Sequence, residues 1–137
     1  MDCIFCRIIN GEIPSYKVYE DEHVMAFLDI SQVTKGHTLL VPKKHVKNIY
    51  ELDESTAQTL FQVLPKVANA INQTFHPIGL NIIINTDKPH QSVFHLHIHL
   101  IPRYEDDGFE INYEHARTPV TSEEFKVRQT ALSQKLH

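Results

Sequence analysis

Four of the ten histidines in this 137-residue chain lie within fifteen residues, between Asp87 and Ile101. Three of them, His95, His97 and His99, alternate with the aliphatic residues of the sequence FHLHIHLI. A period of two predicts a β-strand that carries the three imidazoles on one face and the aliphatic side chains on the core face. Equally spaced imidazoles repel one another when charged, so we expect water, a metal ion or an anionic phosphate against that face.

Polar side chains flank this predicted strand. Gln91 and Ser92 come just before it, and Asn85 ends the preceding predicted strand. An amide and a hydroxyl at such positions can donate hydrogen bonds to phosphoryl oxygens or to a leaving group. A neutral imidazole is also a competent nucleophile, and a covalent intermediate divides one displacement into two steps. The residues alone therefore leave two kinds of site open, a phosphate site and a metal site.

Composition and charge restrict the class of protein. The net charge is −4 and the isoelectric point is near 6.2, which argues against binding to a nucleic-acid backbone. A hydrophobic fraction of 42% and a charged fraction of 22% are ordinary for one globular domain. No apolar run is long enough to cross a bilayer, and the first residues show no signal-peptide pattern, so we expect a cytoplasmic protein with no membrane partner.

Local patterns predict an α+β fold, with one long helix on a five-stranded, mainly antiparallel sheet. The predicted strands are Tyr16–Glu20, His23–Asp29, His37–Val41, Asn81–Asn85 and Phe94–Ile101.

Between the third and fourth strands, apolar residues recur every three or four positions, which predicts the long helix. Asp53 is its expected N-cap, Pro65 is expected to kink or break it, and His76-Pro77 with Gly79 ends it. A second, weakly docked helix is predicted over Ser122–Leu136. Thr121 and Glu124 form a capping box at its start.

Cys3 and Cys6 form a Cys-x-x-Cys pair. In a cytosolic chain this spacing indicates a redox motif or half of a zinc site. A redox motif normally opens a helix after a strand, and the position of this pair counts against that interpretation. A structural zinc needs two further ligands. Two free thiols are the remaining alternative.

The sequence HLHIHLI resembles, at every position, the signature of the histidine triad family of nucleotide hydrolases and transferases, in which three histidines alternate with apolar residues. The similarity also runs through IFCRIINGEIPSYKVYEDEHVMAFLDIS and GHTLLVPKKH. We therefore expect a single domain over residues 1–137, with a core at about 3–103 and a C-terminal extension at 104–137. The N-terminal half is similar to the purine nucleoside phosphoramidase branch, whereas the IPR ending resembles the branch that cleaves diadenosine polyphosphates.

The resemblance implies an enzyme that cleaves the α-phosphate bond of a purine nucleotide and releases a nucleoside monophosphate. An adenosine 5′-phosphoramidate and a dinucleoside polyphosphate are the expected substrate types. His97 is the expected nucleophile and forms a nucleotidyl-histidine intermediate. His99 and His37 are expected to bind the phosphate and tune the nucleophile, and Ser92 to hydrogen-bond the leaving group. His90 stands where family members usually have glycine, and this departure bears on the choice of leaving group.

The resemblance also implies a nucleotide-binding surface. Asn85 and Gln91 are expected to help hold the phosphate, and Asp29 to accept hydrogen bonds from the ribose hydroxyls. The purine slot is expected to be lined by Ile4, Phe5, Ile8 and Phe27. Without the resemblance, Asp29 is an ordinary turn residue, His37 is a surface histidine, and the apolar residues belong to the core.

Zinc and a homodimer follow from the same resemblance. The related galactose-1-phosphate uridylyltransferases bind zinc through a Cys-x-x-Cys pair and two histidines, and the matching residues here are Cys3, Cys6, His45 and His95. Such a zinc is structural, and the chemical step needs no metal. Family members pair through the helix and a strand, which predicts a homodimer with a ten-stranded sheet that binds AMP-type purine nucleotides.

Two functions of other classes remain open at this point. One is a metal-binding module that uses the histidine triad itself as ligands. The other is a purine-nucleotide-binding regulatory protein with little catalysis. A chelator distinguishes the first from the enzyme, and turnover of an adenosine phosphoramidate distinguishes the second.

Overall fold

The structure, a computed structural model, describes residues 2–113 and 116–137. Five strands form one antiparallel sheet in the order β1-β2-β3-β5-β4. They are β1 (Lys17–Glu20), β2 (Val24–Leu28), β3 (Thr38–Pro42), β4 (Gly79–Ile83) and β5 (Ile98–Arg103). The helices are α1 (Ile4–Ile9), α2 (Glu54–Phe75) and α3 (Ser122–Leu136), and a 3-10 turn covers Ile49–Glu51. The predicted α+β fold with a five-stranded sheet is confirmed.

The long helix α2 begins and ends where the sequence predicts. The Asp53 carboxylate accepts a hydrogen bond from the Thr56 amide at 3.2 Å, and His76 ends the helix in the left-handed conformation at φ 50°. The helix nevertheless runs through Pro65 for 22 residues, so the predicted break is absent. A buried apolar face that packs on the sheet compensates the backbone hydrogen bond that proline cannot donate.

The two faces of the sheet carry separate apolar clusters. On the first face, α2 packs its buried residues Leu60, Val63, Val67 and Ile71 against the sheet. The aliphatic residues that alternate with the triad histidines, Leu96, Ile98 and Leu100, are fully buried in this cluster, as predicted. On the second face, α1 covers a smaller cluster formed by Cys3, Phe5, Met25, Phe27, Leu39 and Val41. The triad histidines therefore share the face of the sheet with α1.

Two strands differ in position from the prediction, and both differences affect the site. Strand β4 ends at Ile83, so Asn85 lies two residues beyond it. Strand β5 begins at Ile98, so His95 and His97 precede the strand. Strand β3 reaches its end at Pro42, which has no backbone N–H to extend the ladder with β5. The residues before β5 attach to a loop instead, because the Leu96 amide donates to the Val46 carbonyl at 2.8 Å.

The other helices complete the fold. Helix α1 was not predicted from the sequence, and at its start the Cys6 amide donates to the Sγ atom of the N-cap residue Cys3 at 3.3 Å. At the start of α3, the Glu124 amide donates to the Thr121 hydroxyl at 3.2 Å, and every residue of α3 is exposed. No helix within the described residues is both long enough and apolar enough to span a membrane.

Candidate active site and metal centre

His97 lies in the short segment between the loop and β5, and one hydrogen bond fixes its ring. Its side chain is 7% exposed, and its Nδ1 atom lies 2.8 Å from the carbonyl oxygen of His95. A carbonyl oxygen can only accept, so the hydrogen resides on Nδ1 and the Nε2 atom keeps its lone pair. Burial lowers the pKa of His97 and outweighs the opposing effects of the hydrogen bond to the His95 carbonyl and the charge of Asp29, so the neutral ring is favoured. The result is an uncharged imidazole whose Nε2 atom has no hydrogen-bond partner within residues 2–113 and 116–137.

His99 and His37 form a pair beside His97. His99 lies within β5 opposite Leu39 of β3, and its Nδ1 atom is 2.9 Å from the Nε2 atom of His37. Burial, followed by the charges of His97 and His37, lowers the pKa of His99 to about 4. Burial also lowers the pKa of His37, against the opposing charge of Asp29, so both rings favour the neutral form near pH 7 and one ring nitrogen in the 2.9 Å contact donates to the other.

The Asp29 carboxylate approaches the same pair. Its Oδ2 atom lies 3.5 Å from the Nε2 atom of His37, and its Oδ1 atom accepts from the Ser31 amide at 2.8 Å. The ligand atoms of Asp29, His37 and His99 converge closely enough to suit a metal ion, but this group does not include His97. Asp29, the residue predicted to contact the ribose, therefore lies beside the two histidines predicted to bind the phosphate. His97 is not part of this group.

The residues predicted to hold the phosphate occupy different positions. Asn85 and His90 line a cavity of about 610 Å³ together with His37 and His99. The Gln91 side chain joins two loops, because its amide nitrogen donates to the Val93 carbonyl of its own loop at 3.1 Å and to the Lys47 carbonyl of the loop after β3 at 2.8 Å. Its oxygen accepts from the Asp87 amide at 2.7 Å.

Ser92 is exposed in the loop before β5. The 610 Å³ cavity is also lined by four residues that the sequence did not indicate as site residues, Phe109, Glu110, Ile111 and Tyr113. Arg103 anchors this segment through hydrogen bonds to Asp107 and to the Phe109 carbonyl. The apolar character of FEINY was the only available signal, and it does not show that the segment folds back over β5.

The predicted purine slot lies beside His97. The Phe5 ring packs edge-on against the rings of Phe27 and His97, with centroids 5.6 and 5.0 Å apart. Phe5 and Phe27 are buried, Ile8 is partly buried and Ile4 is 49% exposed. The two phenylalanines are core residues, and the two isoleucines on α1 offer apolar surface at the edge of that core.

Four side chains from three separate segments converge near the start of β5. The Nδ1 atom of His95 lies 3.4 Å from Cys3 Sγ, 3.6 Å from Cys6 Sγ and 3.1 Å from the Nδ1 atom of His45. Cys6 Sγ lies 3.3 Å from the same His45 atom. Ligand atoms of a tetrahedral zinc with ordinary bond lengths lie roughly 3.3–3.8 Å apart. We call these four residues the Cys/His cluster, and their spacing fits a tetrahedral ion.

The chemistry of the cluster also suits a metal. The Nε2 atom of His95 lies 2.8 Å from the Pro42 carbonyl, which places the hydrogen on Nε2 and leaves the Nδ1 lone pair facing the two cysteines. Both cysteines are free. Burial and the neighbouring Cys3 raise the pKa of Cys6 to about 11 when no ion is present, and a bound cation would reverse that effect. The donors are two sulfurs and two imidazole nitrogens, a set that zinc favours.

Comparison with known proteins places the chain in a family. The HIT domain family model matches residues 10–106. "Protein hit" of Bacillus subtilis (strain 168) is 61% identical over 110 residues, which are 79% of this chain and 76% of that protein. A crystal structure of a HIT family member from Bacillus subtilis superposes with a TM-score of 0.94 at 49% identity, covering 100% of this chain and 99% of that one. The protein belongs to the HIT family.

Two further relatives bear on activity and on metal. Adenosine 5′-monophosphoramidase hnt1 of Schizosaccharomyces pombe is 35% identical over 138 residues, or 99% of each chain. The crystal structure of a Zn-bound histidine triad family protein from Mycobacterium smegmatis has a TM-score of 0.74 at 35% identity, and the match covers 98% of this chain and 95% of that one. The chain is thus similar to a protein named as an adenosine 5′-monophosphoramidase and to a solved histidine triad protein described as Zn-bound.

Proposed function

We propose that the protein is a hydrolase or nucleotidyl transferase that cleaves the α-phosphate bond of a purine nucleotide, such as an adenosine 5′-phosphoramidate or a dinucleoside polyphosphate. The observation that carries the proposal is the hydrogen bond from His97 Nδ1 to the His95 carbonyl, because it leaves Nε2 free to attack. The relative named as an adenosine 5′-monophosphoramidase supports the same substrate class.

The reaction proceeds in two displacements. Nε2 of His97 attacks the α-phosphorus, the bond to the leaving group breaks, and that group departs with the bonding pair and takes up a proton. Water then attacks the nucleotidyl-histidine and gives up a proton, the phosphorus–nitrogen bond breaks with its electron pair returning to Nε2 of His97, and the nucleoside monophosphate is released. His99, His37 and Asn85 are proposed to hold the phosphoryl oxygens, and Ser92 to hydrogen-bond the leaving group.

The role proposed for Gln91 differs from the direct phosphate contact that the sequence predicts. Its amide bonds the Asp87 and Val93 backbone in its own loop and the Lys47 carbonyl in the loop after β3, so its support for the phosphate acts through the arrangement of these two loops. Asp29 is proposed to accept from the ribose hydroxyls, and the slot residues Ile4, Phe5, Ile8 and Phe27 to contact the purine. The cytoplasmic location stays a prediction from the sequence.

The decisive experiment looks for the covalent intermediate. Wild-type protein and His97→Ala are mixed with an adenosine 5′-phosphoramidate in a single turnover, quenched with acid and analysed by mass spectrometry. We expect a nucleotidyl adduct on the peptide that contains His97 in the wild type only. An adduct on another residue contradicts the mechanism. AMP binding without turnover in the wild type indicates the regulatory function instead.

We also propose that the Cys/His cluster holds one structural zinc. The donor set, the 3.1–3.6 Å spacing and the zinc-containing relative support this. The ion would tie α1 to the residues that precede β5, and its binding free energy would then contribute to folding. Elemental analysis of untagged protein should find about one zinc per chain, and a metal-free protein of equal stability would contradict the proposal.

A further inference from the structure

The Cys/His cluster and the proposed nucleophile share one residue. His95 points its ring nitrogen Nδ1 into the cluster, while its own backbone carbonyl accepts the hydrogen bond from His97 Nδ1 at 2.8 Å. His95 therefore belongs both to the cluster, through its side chain, and to the contact that determines which nitrogen of His97 carries the hydrogen, through its backbone carbonyl.

The segment that contains both histidines depends on side-chain anchors. It precedes the first ladder residue of β5, Ile98, and its backbone is attached through the Leu96 amide to the Val46 carbonyl at 2.8 Å. His45, the residue next to that carbonyl, places its ring 3.1 Å from the His95 ring. The same loop thus holds the segment at two neighbouring points, and one of them is the cluster.

A second connection runs through α1. Phe5 lies between the two cluster cysteines in the sequence, and its ring meets the rings of His95 and His97 edge-on, at centroid distances of 5.9 and 5.0 Å. Phe5 is only 7% exposed. Fixing Cys3 and Cys6 therefore also fixes the aromatic side chain that packs against the proposed nucleophile.

We propose that Cys3, Cys6 and His45 are positioning residues for His97, which act by holding His95 so that its carbonyl keeps the hydrogen of His97 on Nδ1. Without that acceptor the hydrogen is free to move to Nε2, the nitrogen that must carry the lone pair for attack. The tautomer of His97 follows from geometry alone, and only its consequence for rate rests on the proposed function. The sulfurs and imidazoles of the cluster thus contribute to reactivity as well as to stability.

The test reads the tautomer directly. Nitrogen NMR of protein labelled with ¹⁵N-histidine, without nucleotide, reports which ring nitrogen of His97 carries hydrogen. We compare the zinc-loaded wild type, the same protein after chelation, the chelated protein after zinc is returned, and His45→Asn. His45 is the exposed member of the cluster, so this variant disturbs the fold least.

We expect Nδ1–H in the zinc-loaded wild type and a population of Nε2–H after chelation and in His45→Asn, with zinc restoring the chelated protein. Single-turnover nucleotidylation should fall about 10–100-fold in His45→Asn, while AMP affinity changes much less. Asp53→Ala is the matched control, because it weakens the cap of α2 on the other face of the sheet. It should leave the tautomer unchanged.

Each outcome decides the proposal. An unchanged His97 tautomer in chelated protein and in His45→Asn overturns it, and so does an equal change in Asp53→Ala. If circular dichroism shows that chelation unfolds the protein, the comparison is made between the zinc-loaded wild type and His45→Asn prepared with zinc. A wild-type protein that turns over no nucleotide defeats the proposed function, and the NMR result still decides the positioning proposal.

Discussion

The three histidines of the triad make different contacts, although their spacing in the sequence is regular. His95 directs its ring to the Cys/His cluster, His97 is fixed through the His95 carbonyl, and His99 contacts His37. The alternating pattern shows that the three side chains share a face. It does not show their hydrogen-bond partners, because two of these are backbone carbonyls, of Pro42 and of His95 itself. Side-chain patterns carry no information about such acceptors.

At this scale, His97→Ala and His99→Ala should differ in their effect on rate. We expect loss of roughly 10⁴-fold or more in single-turnover rate for His97→Ala, which removes the proposed bond-forming atom, and about 10²–10³-fold for His99→Ala, which removes a proposed phosphate ligand. AMP affinity should persist in His97→Ala, since the slot residues are unchanged. Equal losses in the two variants, measured by quenched flow, would contradict the assigned roles.

The pH dependence of stability follows from His99. Its pKa is lowered to about 4 in the folded protein, against an ordinary value near 6.5 in the unfolded chain. Between these values only the unfolded chain binds the proton, so stability falls as pH drops from about 6.5 to about 4. Urea unfolding measures the free energy of unfolding at pH 7 and at pH 5. The decrease between the two pH values should be smaller for His99→Gln than for the wild type, by on the order of 1–3 kcal/mol. An identical loss would exclude His99 as the cause.

At the scale of elements, the two long helices and strands β1 to β3 were predicted to within one residue, whereas α1 was missed and β4 and β5 were displaced. The cap at Asp53, the left-handed end at His76 and the bounds of α3 agree with the sequence analysis. Helix α1 was missed because its six residues are too few for a clear period, although the apolar spacing of Phe5, Ile8 and Ile9 was available. Strand β5 was placed too early because alternation continues through residues that bond to a loop.

Gly36 links the end of α2 to the site. It has φ +92°, and a Cβ atom there would lie 2.8 Å from two atoms of the Phe75 ring. Gly36→Ala should therefore cost about 1–3 kcal/mol and displace the adjacent His37. Gly11 is the matched control, with φ +80° and nothing within 4 Å of an added Cβ.

Urea unfolding of Gly36→Ala and Gly11→Ala separates the two contributions of the substitution. Backbone strain is common to both variants, and only Gly36→Ala adds the steric overlap with Phe75. Gly36→Ala should be the less stable of the two and the less active. Equal stability would show that the Phe75 ring moves aside at no cost.

At the scale of the whole molecule, the resemblance predicts a homodimer with a continuous ten-stranded sheet, and we retain that as a proposal. Strand β4 lies at one edge of the sheet, with Ile82 46% exposed on it. An unpaired strand edge with an exposed aliphatic residue is suited to pairing with a second copy.

The oligomer prediction uses the two sheet edges as mutual controls. In sedimentation, the wild-type protein should have twice the chain mass of 15.9 kDa. The Ile82→Lys substitution should lower that mass toward the value of the monomer. Val18→Lys places the same charge on β1 at the opposite edge, where Val18 is 56% exposed, and should leave the dimer intact. A wild-type monomer at micromolar concentration, or a dimer lost only in Val18→Lys, would contradict pairing through β4.

The location of the cluster cysteines has a practical consequence for protein production. Cys3 and Cys6 follow the exposed residue Asp2 closely, so a polyhistidine affinity tag placed ahead of Asp2 would bring extra imidazoles within a few residues of the proposed zinc ligands. A tag after α3 would extend a helix that has no buried residue. The end chosen for the tag thus decides whether the metal content of a purified batch reports the cluster or the tag.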